Sequence, residues 1–355
     1  MKTLVTIIIS IGLAVSSLRA QEKKGLKDYY KDYFLIGVAV SPRMMEPGEE
    51  SAMILQHFNS MTPENAMKMG PIHPEENRYN WEPADKIVDF AQKNGLKVRG
   101  HTLCWHNQTP RWFFTKNDQP VTKEELLARL KQHITDVVSR YKGKLYAWDV
   151  VNEAVPDKGE ELYRNSKFYE IIGEEYIEKA FEYAHAADPN AILFYNDYNT
   201  ENATKREKIY RLVKKLKEKG VPIHGVGLQG HWSVYEPTAQ EMDESINKFA
   251  SLGLQVQITE MDVSVYPKEH ERREKKPTDI TLFPPEIQQK QAEHYKMLFE
   301  VFRKHKAHLT GVTFWNLSDK STWLDAFPFV GRKDYPLLFD VNNQPKSAYW
   351  EVIKF

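Results

Sequence analysis

The sequence predicts a single α/β domain closed into a (β/α)8 barrel of the TIM-barrel class, on three observations. Apolar strand-like runs alternate with longer stretches of helical period, the pattern of a parallel sheet whose crossovers are helices. There are eight such runs, the number that closes a barrel rather than leaving a doubly wound sheet open. No Gly-x-Gly-x-x-Gly follows any of them, so a dinucleotide-binding sheet has no support.

In chain order the predicted strands are Phe34 to Val40, Phe58 to Met61, Leu96 to His101, Leu145 to Val151, Ala191 to Tyr195, Gly225 to Gln229, Leu254 to Thr259 and Thr310 to Trp315. Helices are predicted over Pro83 to Lys93, Thr122 to Tyr141, Ser166 to Ala187, Thr204 to Lys219, Thr238 to Leu252 and Pro285 to His305. Several open on Ser, Thr or Pro and stop near Gly, as at Lys219-Gly220 and Leu252-Gly253. No linker, repeat or appended small domain interrupts the pattern, so the barrel is expected to occupy residues 21–355. The charged run from Lys268 to Lys276 reads as a solvated loop after strand seven.

Ahead of the barrel, Met1-Lys2-Thr3, an apolar stretch from Leu4 to Leu18 and Arg19-Ala20-Gln21 describe a secretory signal peptide over residues 1–20. An uncleaved anchor is the alternative. The leader predicts a secreted or periplasmic mature chain beginning near Gln21. Cys104 is the only cysteine, so no intramolecular disulfide can form, and it reads as a small buried hydrophobe. Lys plus Arg and Asp plus Glu both number 49, which leaves no electrostatic footprint for nucleic acid or an anionic membrane. A neutral polymer suits that balance. Eight Trp and eighteen Tyr supply flat rings that stack well on the apolar faces of sugars.

Two strand-like runs end in glutamates: Trp148-Asp149-Val150-Val151-Asn152-Glu153 and Ile258-Thr259-Glu260-Met261-Asp262. On a barrel these fall at the carboxyl ends of strands four and seven, the rim where barrel active sites are built. A carboxylate pair in unlike surroundings is the minimum for cleaving a glycosidic bond, one group protonating the leaving oxygen while the other meets the oxocarbenium-like carbon. Asp262, two residues beyond Glu260, shares its strand face and is placed to orient His231, which in turn is expected about 2.6–3.2 Å from both carboxylates. A single glutamate at a strand end would be unremarkable surface. Here the other rims carry polar and aromatic groups as well: Pro63-Glu64-Asn65, His101 with Trp105-His106-Asn107-Gln108, Asn196-Asp197-Tyr198-Asn199, Gln229-Gly230-His231-Trp232 and Trp315-Asn316.

In order and spacing these motifs, together with Gly37-Val38-Ala39, Met61-Thr62-Pro63-Glu64-Asn65, His101-Thr102-Leu103-Cys104-Trp105-His106 and Phe314-Trp315-Asn316-Leu317-Ser318-Asp319, resemble glycoside hydrolase family 10, the endo-1,4-β-xylanases. The resemblance runs through nearly the whole mature chain. It implies that Glu153 is the general acid/base and Glu260 the nucleophile of a retaining double displacement, supported by Asn152, Gln229, His231 and Asp262. It implies a glycone side lined by Glu64, Asn65, Lys68, His101, Trp105 and Gln108 under Trp315 and Trp323, and a leaving-group side at Tyr198 and Asn199. Crowding by Trp323 would favour a pentose polymer, making xylan or xylo-oligosaccharides the expected partner. No cofactor, metal or obligate protein partner is implied. For Lys68 the residues alone allow another reading, an i, i+4 salt pair with Glu64 on a helix. Met261 and Cys104 depart from the aliphatic residues more usual in the family, which touches packing rather than chemistry.

Three rivals follow from the same residues. A β-1,4-glucanase or mannanase would use the same chemistry on another polymer. A metal-dependent hydrolase would need His101, His106 and His231 as ligands, but no His-x-His or carboxylate-rich set accompanies them. A non-catalytic sugar-binding protein would need only the aromatics, leaving both glutamates dispensable.

Overall fold

The structure, a computed structural model, describes residues 24–269, 271–279 and 282–355; the predicted signal peptide lies outside them. Eight parallel strands form a closed ring: β1 Leu35–Val40, β2 Ser60–Pro63, β3 Lys97–Trp105, β4 Ala147–Asn152, β5 Ile192–Asp197, β6 Gly225–Leu228, β7 Gln255–Ser264 and β8 Leu309–Phe314. Each pairs with its chain neighbours, and β8 pairs with β1 from Leu35↔Gly311 to Val38↔Phe314, so the sheet has no open edge within the ring. The predicted (β/α)8 barrel is the observed fold. Among the described residues no helix is long and apolar enough to cross a membrane.

Helices on the outside follow each strand. The expected ones lie at Glu82–Lys93, Lys123–Arg140, Ala203–Glu218, Ala239–Ala250 and Pro285–Lys304, while helices Glu49–His57 and Ser347–Val352 follow β1 and β8. Their starts are set by side-chain caps: Thr122 Oγ1 accepts from the N–H of Glu125, Asn202 Oδ1 from Thr204 and Lys205, and Thr238 forms a reciprocal box with Glu241. One prediction is corrected. The single helix expected over Ser166 to Ala187 is two, Lys167–Ile172 and Glu175–Ala187, because Gly173 takes φ 84° between them and ends the first.

Two strands run further than expected, and both extensions build the cleft. β3 continues past His101 to Trp105, so Trp105 is its last residue rather than part of the following loop. β7 does not end at Glu260 but continues to Ser264. Its last residues leave the main ladder and pair with a short strand, His231–Ser233, in the register Asp262↔His231. That pairing is what sets the imidazole beside Asp262.

Candidate active site

A cleft of about 520 Å³ opens at the carboxyl ends of the strands and is lined by both glutamates. Glu153 directly follows β4 and has a left-handed backbone, φ 59°. Its N–H donates to the Asn196 carbonyl at 2.9 Å, while that of Glu260 donates to the Gln229 carbonyl at 2.7 Å. Each carboxylate is thus anchored through its own backbone to a neighbouring strand end, Glu153 to β5 and Glu260 to the residue after β6.

The two carboxyl groups have unlike surroundings. Glu153 accepts from neutral donors: Trp105 Nε1 at 2.8 Å, Gln229 Nε2 at 2.9 Å and Asn152 Nδ2 at 3.3 Å. The His106 ring lies 4.0 Å from it, and burial holds that imidazole down at about 4. Glu260 is 5 % exposed and faces two imidazoles. His231 Nε2 is 3.3 Å from its Oε2 and His101 Nδ1 3.9 Å from its Oε1. Burial alone would raise the Glu260 carboxyl, but the charges of His101, His231 and Lys68 outweigh it and bring the group down to about 2. For His231, burial opposes the charge, yet Asp262 and Glu260 together lift it to about 10.

His231 reaches both carboxylates, with Nδ1 on Asp262 Oδ2 at 2.9 Å; the contact to Glu260 is slightly longer than the upper limit expected from sequence. Trp323 Nε1 donates to the same Asp262 oxygen at 2.8 Å, so the predicted sugar-covering tryptophan also fixes the carboxylate behind the histidine. Trp315 meets the His101 ring edge-on at 5.4 Å and lies 5.9 Å from the Lys68 ammonium.

Lys68 is not the helical salt partner of Glu64. Residues 64–68 form bends and turns, and the lysine is buried, bonded to Asn65 Oδ1 at 3.0 Å and 5.1 Å from the Trp105 ring. Burial lowers its ammonium against the pull of Glu260, Glu64 and Glu153, and burial likewise raises the Glu64 carboxyl against the charge of Lys68. Gln108, with φ 52°, lines the same side, and its carbonyl accepts from the N–H of Gly70 at 2.8 Å. Across the cleft the Tyr198 hydroxyl donates to Asp157 at 2.5 Å, and the amide of Asn199 reaches that carboxylate at 3.3 Å.

Several residues essential to this arrangement were not singled out from sequence. Asn196 Nδ2 donates both to Glu260 Oε1 at 2.8 Å and to Asn152 Oδ1 at 2.9 Å, and Gln229 Nε2 reaches that same Asn152 oxygen at 3.3 Å. A chain of three amides therefore connects the two catalytic-type carboxylates. The register brings it about, since Trp105, Asn152, Asn196 and Gly227 are successive partners around the barrel. Below, Asp149 accepts His101 Nδ1 at 2.9 Å and a bidentate bond from Arg99, which is fully buried. Glu260 so bonds one imidazole, His231, which Asp262 holds from behind, and lies near a second, His101, whose Nδ1 is bonded to Asp149.

The charged run 268–276 is not simply solvated. Lys268 pairs with Glu201 at 3.1 Å, Arg273 with Glu269 and with Asp279, the latter at 2.8 Å, and Arg332 with Glu269 at 3.4 Å, making part of the run a wall of the cleft. His101, His106 and His231 do not converge: among the described residues no three His, Cys, Asp or Glu groups gather as metal ligands would.

A carboxylate pair of contrasting environments at the rim of a (β/α)8 barrel, flanked by tryptophans, defines a glycoside hydrolase. The model of glycosyl hydrolase family 10 matches residues 25–355, and the chain belongs to that family. It is 53 % identical over 353 residues to a β-1,4-xylanase of Dictyoglomus thermophilum, covering 99 % of this chain and 97 % of that one. It is 49 % identical to endo-1,4-β-xylanase A of Caldicellulosiruptor saccharolyticus, covering 92 % and 94 %. Among solved structures, a variant enzyme in complex with xylotriose superposes with a TM-score of 0.90 at 46 % identity, covering 94 % of this chain and all of that one.

Proposed function

We infer that the protein is an endo-1,4-β-xylanase that cleaves xylan with retention, through a covalent glycosyl-enzyme. The observation that carries the reading is the contrast between Glu260, ionised among cations, and Glu153, held by neutral donors in the same cleft. Glu260 attacks the anomeric carbon as the glycosidic C–O bond breaks and Glu153 delivers a proton to the departing oxygen. A water then attacks the same carbon, Glu153 takes its proton, and the Glu260 carboxylate leaves. His231, backed by Asp262, and Asn196 hold Glu260, while Gln229 and Trp105 hold Glu153. Xylan and xylo-oligosaccharides are the substrates this reading assigns, with the glycone toward Lys68, Trp315 and Trp323 and the leaving group toward Tyr198 and Asn199. Export is part of the proposal, and an exported chain whose N-terminus does not begin near Gln21 would refute the assigned leader.

The two glutamates are separable by chemistry. Glu153→Ala should slow cleavage of xylan far more than glycosylation by an activated aryl β-xyloside, and azide should rescue it to a β-xylosyl azide. Glu260→Ala should lose both reactions and yield, at most, an α-azide. Equal and unrescued losses, or near wild-type activity in either variant, would show that these two glutamates do not hold the assigned roles.

A further inference from the structure

The left-handed backbone of Glu153 is unusual for a residue with a long side chain, and such conformations persist only where the surroundings fix them. Here the peptide after Glu153 is gripped on both sides. Its carbonyl accepts from Arg164 Nε at 2.7 Å, and its N–H, belonging to Ala154, donates to Tyr195 Oη at 3.0 Å. Both grips lead to one place. Arg164 Nη2 also donates to Tyr198 Oη at 3.0 Å, while Tyr195 Oη donates to Asp197 at 2.5 Å. The buried Lys205 ammonium pairs with Asp197 at 2.9 Å and with Asp157 at 2.7 Å, and Asp157 accepts the Tyr198 hydroxyl. The circuit therefore closes on itself through Tyr198, whose ring lies 3.5 Å from Lys205 Nζ and lines the cleft.

We propose that Arg164 is a positioning residue for proton transfer, fixing the backbone of Glu153 and coupling it to Tyr198 so that a sugar on the leaving-group side steadies the aim of the Glu153 carboxyl. The proposal rests on the assignment of Glu153 as acid/base. A guanidinium suits the task because its planar fork holds a carbonyl and a hydroxyl at fixed angles, which a lysine ammonium cannot reproduce. Arg164 comes from the loop after β4, eleven residues beyond the glutamate it holds, and makes a second bond to the Val155 carbonyl at 3.1 Å. Its three acceptors all belong to the segment that presents the acid or to the leaving-group platform.

The test compares wild type, Arg164→Lys, Arg164→Met, Tyr198→Phe and Glu153→Ala on xylohexaose and on a series of aryl β-xylobiosides of graded leaving-group pKa. Misaim should lower kcat on xylohexaose about 10²-fold in Arg164→Met and less in Arg164→Lys, with KM changed by no more than about twofold. Lost acid assistance should appear as a steeper fall of log kcat/KM, which reports the glycosylation step, with leaving-group pKa, the best leaving group staying within about threefold of wild type in kcat/KM. Tyr198→Phe keeps the ring but removes one acceptor, and should steepen the same plot even if Arg164→Met fails to fold. Parallel plots, with equal losses on all substrates or none, would overturn the role of Arg164. If Glu153→Ala itself shows no steepening, the acid/base assignment has failed instead.

Discussion

Around Glu260, single side chains determine the charge state of the site. Its carboxyl lies at about 2 because His101, His231 and Lys68 overcome the effect of burial, and His231 lies at about 10 because Asp262 and Glu260 overcome the same effect in the opposite sense. The sign of each contribution to stability follows from these shifts. A depressed carboxyl stabilises the fold above its unfolded pKa of about 4.3, and that contribution is lost as pH falls toward 2. A raised histidine stabilises below its unfolded pKa of about 6.5, and that contribution is lost as pH rises toward 10. The cluster is therefore at full strength between roughly pH 4.3 and 6.5. His231→Asn should lower Tm most within that window, with the difference shrinking toward either extreme. Without the imidazolium Glu260 should titrate higher, moving the acid limb of kcat/KM up by about one to two pH units. A limb that stays in place would show that His231 does not govern the nucleophile.

Between neighbouring strands, small residues face large ones at matched register. Gly100 is the partner of Trp148, and a Cβ built on it would lie 2.1 Å from the buried indole; Gly225 is the partner of Phe194, with a Cβ at 2.3 Å from that ring. Gly100→Ala is accordingly expected to cost about 3 kcal/mol by overpacking and to lower Tm by about 5 °C, read by thermal unfolding. An unchanged Tm would mean that β3 and β4 can separate at no cost. The strands themselves were legible from sequence, because some runs, such as Phe34 to Val40, are apolar on both faces and others, such as Leu254 to Thr259, put apolar residues at every second position. Where β7 continues to Ser264, the residues Glu260 and Asp262 break that apolar pattern, so the run appeared to stop at the site. The strand-end glutamates could be read because a carboxylate stands out against valines and isoleucines. Asn196 and Arg164 could not: one sits within a polar strand end among other amides, and the other in a loop where its partners depend on the turn the chain takes after Glu153.

Over the molecule as a whole, residues near the start of the described chain meet its last residues beside the beginning of β1. Tyr30 is fully buried, stacks on Phe34 at 5.1 Å, packs on Phe299 at 5.3 Å and on Phe355 at 5.1 Å, and donates to the carbonyl of Val352. Arg303 adds a bond to the Tyr30 hydroxyl at 3.1 Å and lies 4.2 Å from the Phe355 ring. With Cys104 the only thiol, the closure of the ring is reinforced by packing rather than by a covalent link. Tyr30→Ala should cost about 3–5 kcal/mol and lower Tm, while kcat at 25 °C stays near wild type because the cleft lies at the opposite end of the strands. A changed kcat in fully folded protein would reveal coupling between the two ends of the barrel.

In the proposed mechanism His231, backed by Asp262, bears on the second half of turnover as much as the first. A carboxylate of low basicity is a modest nucleophile but a good nucleofuge, and the groups that keep Glu260 anionic before attack favour the return of that anion when the glycosyl ester breaks. While that ester lasts the charge on Glu260 is absent, but His231 stays beside it, still fixed by Asp262. The proposed intermediate is thus held beside a group complementary to its own departure, so His231 assists the breaking of the ester as well as its formation.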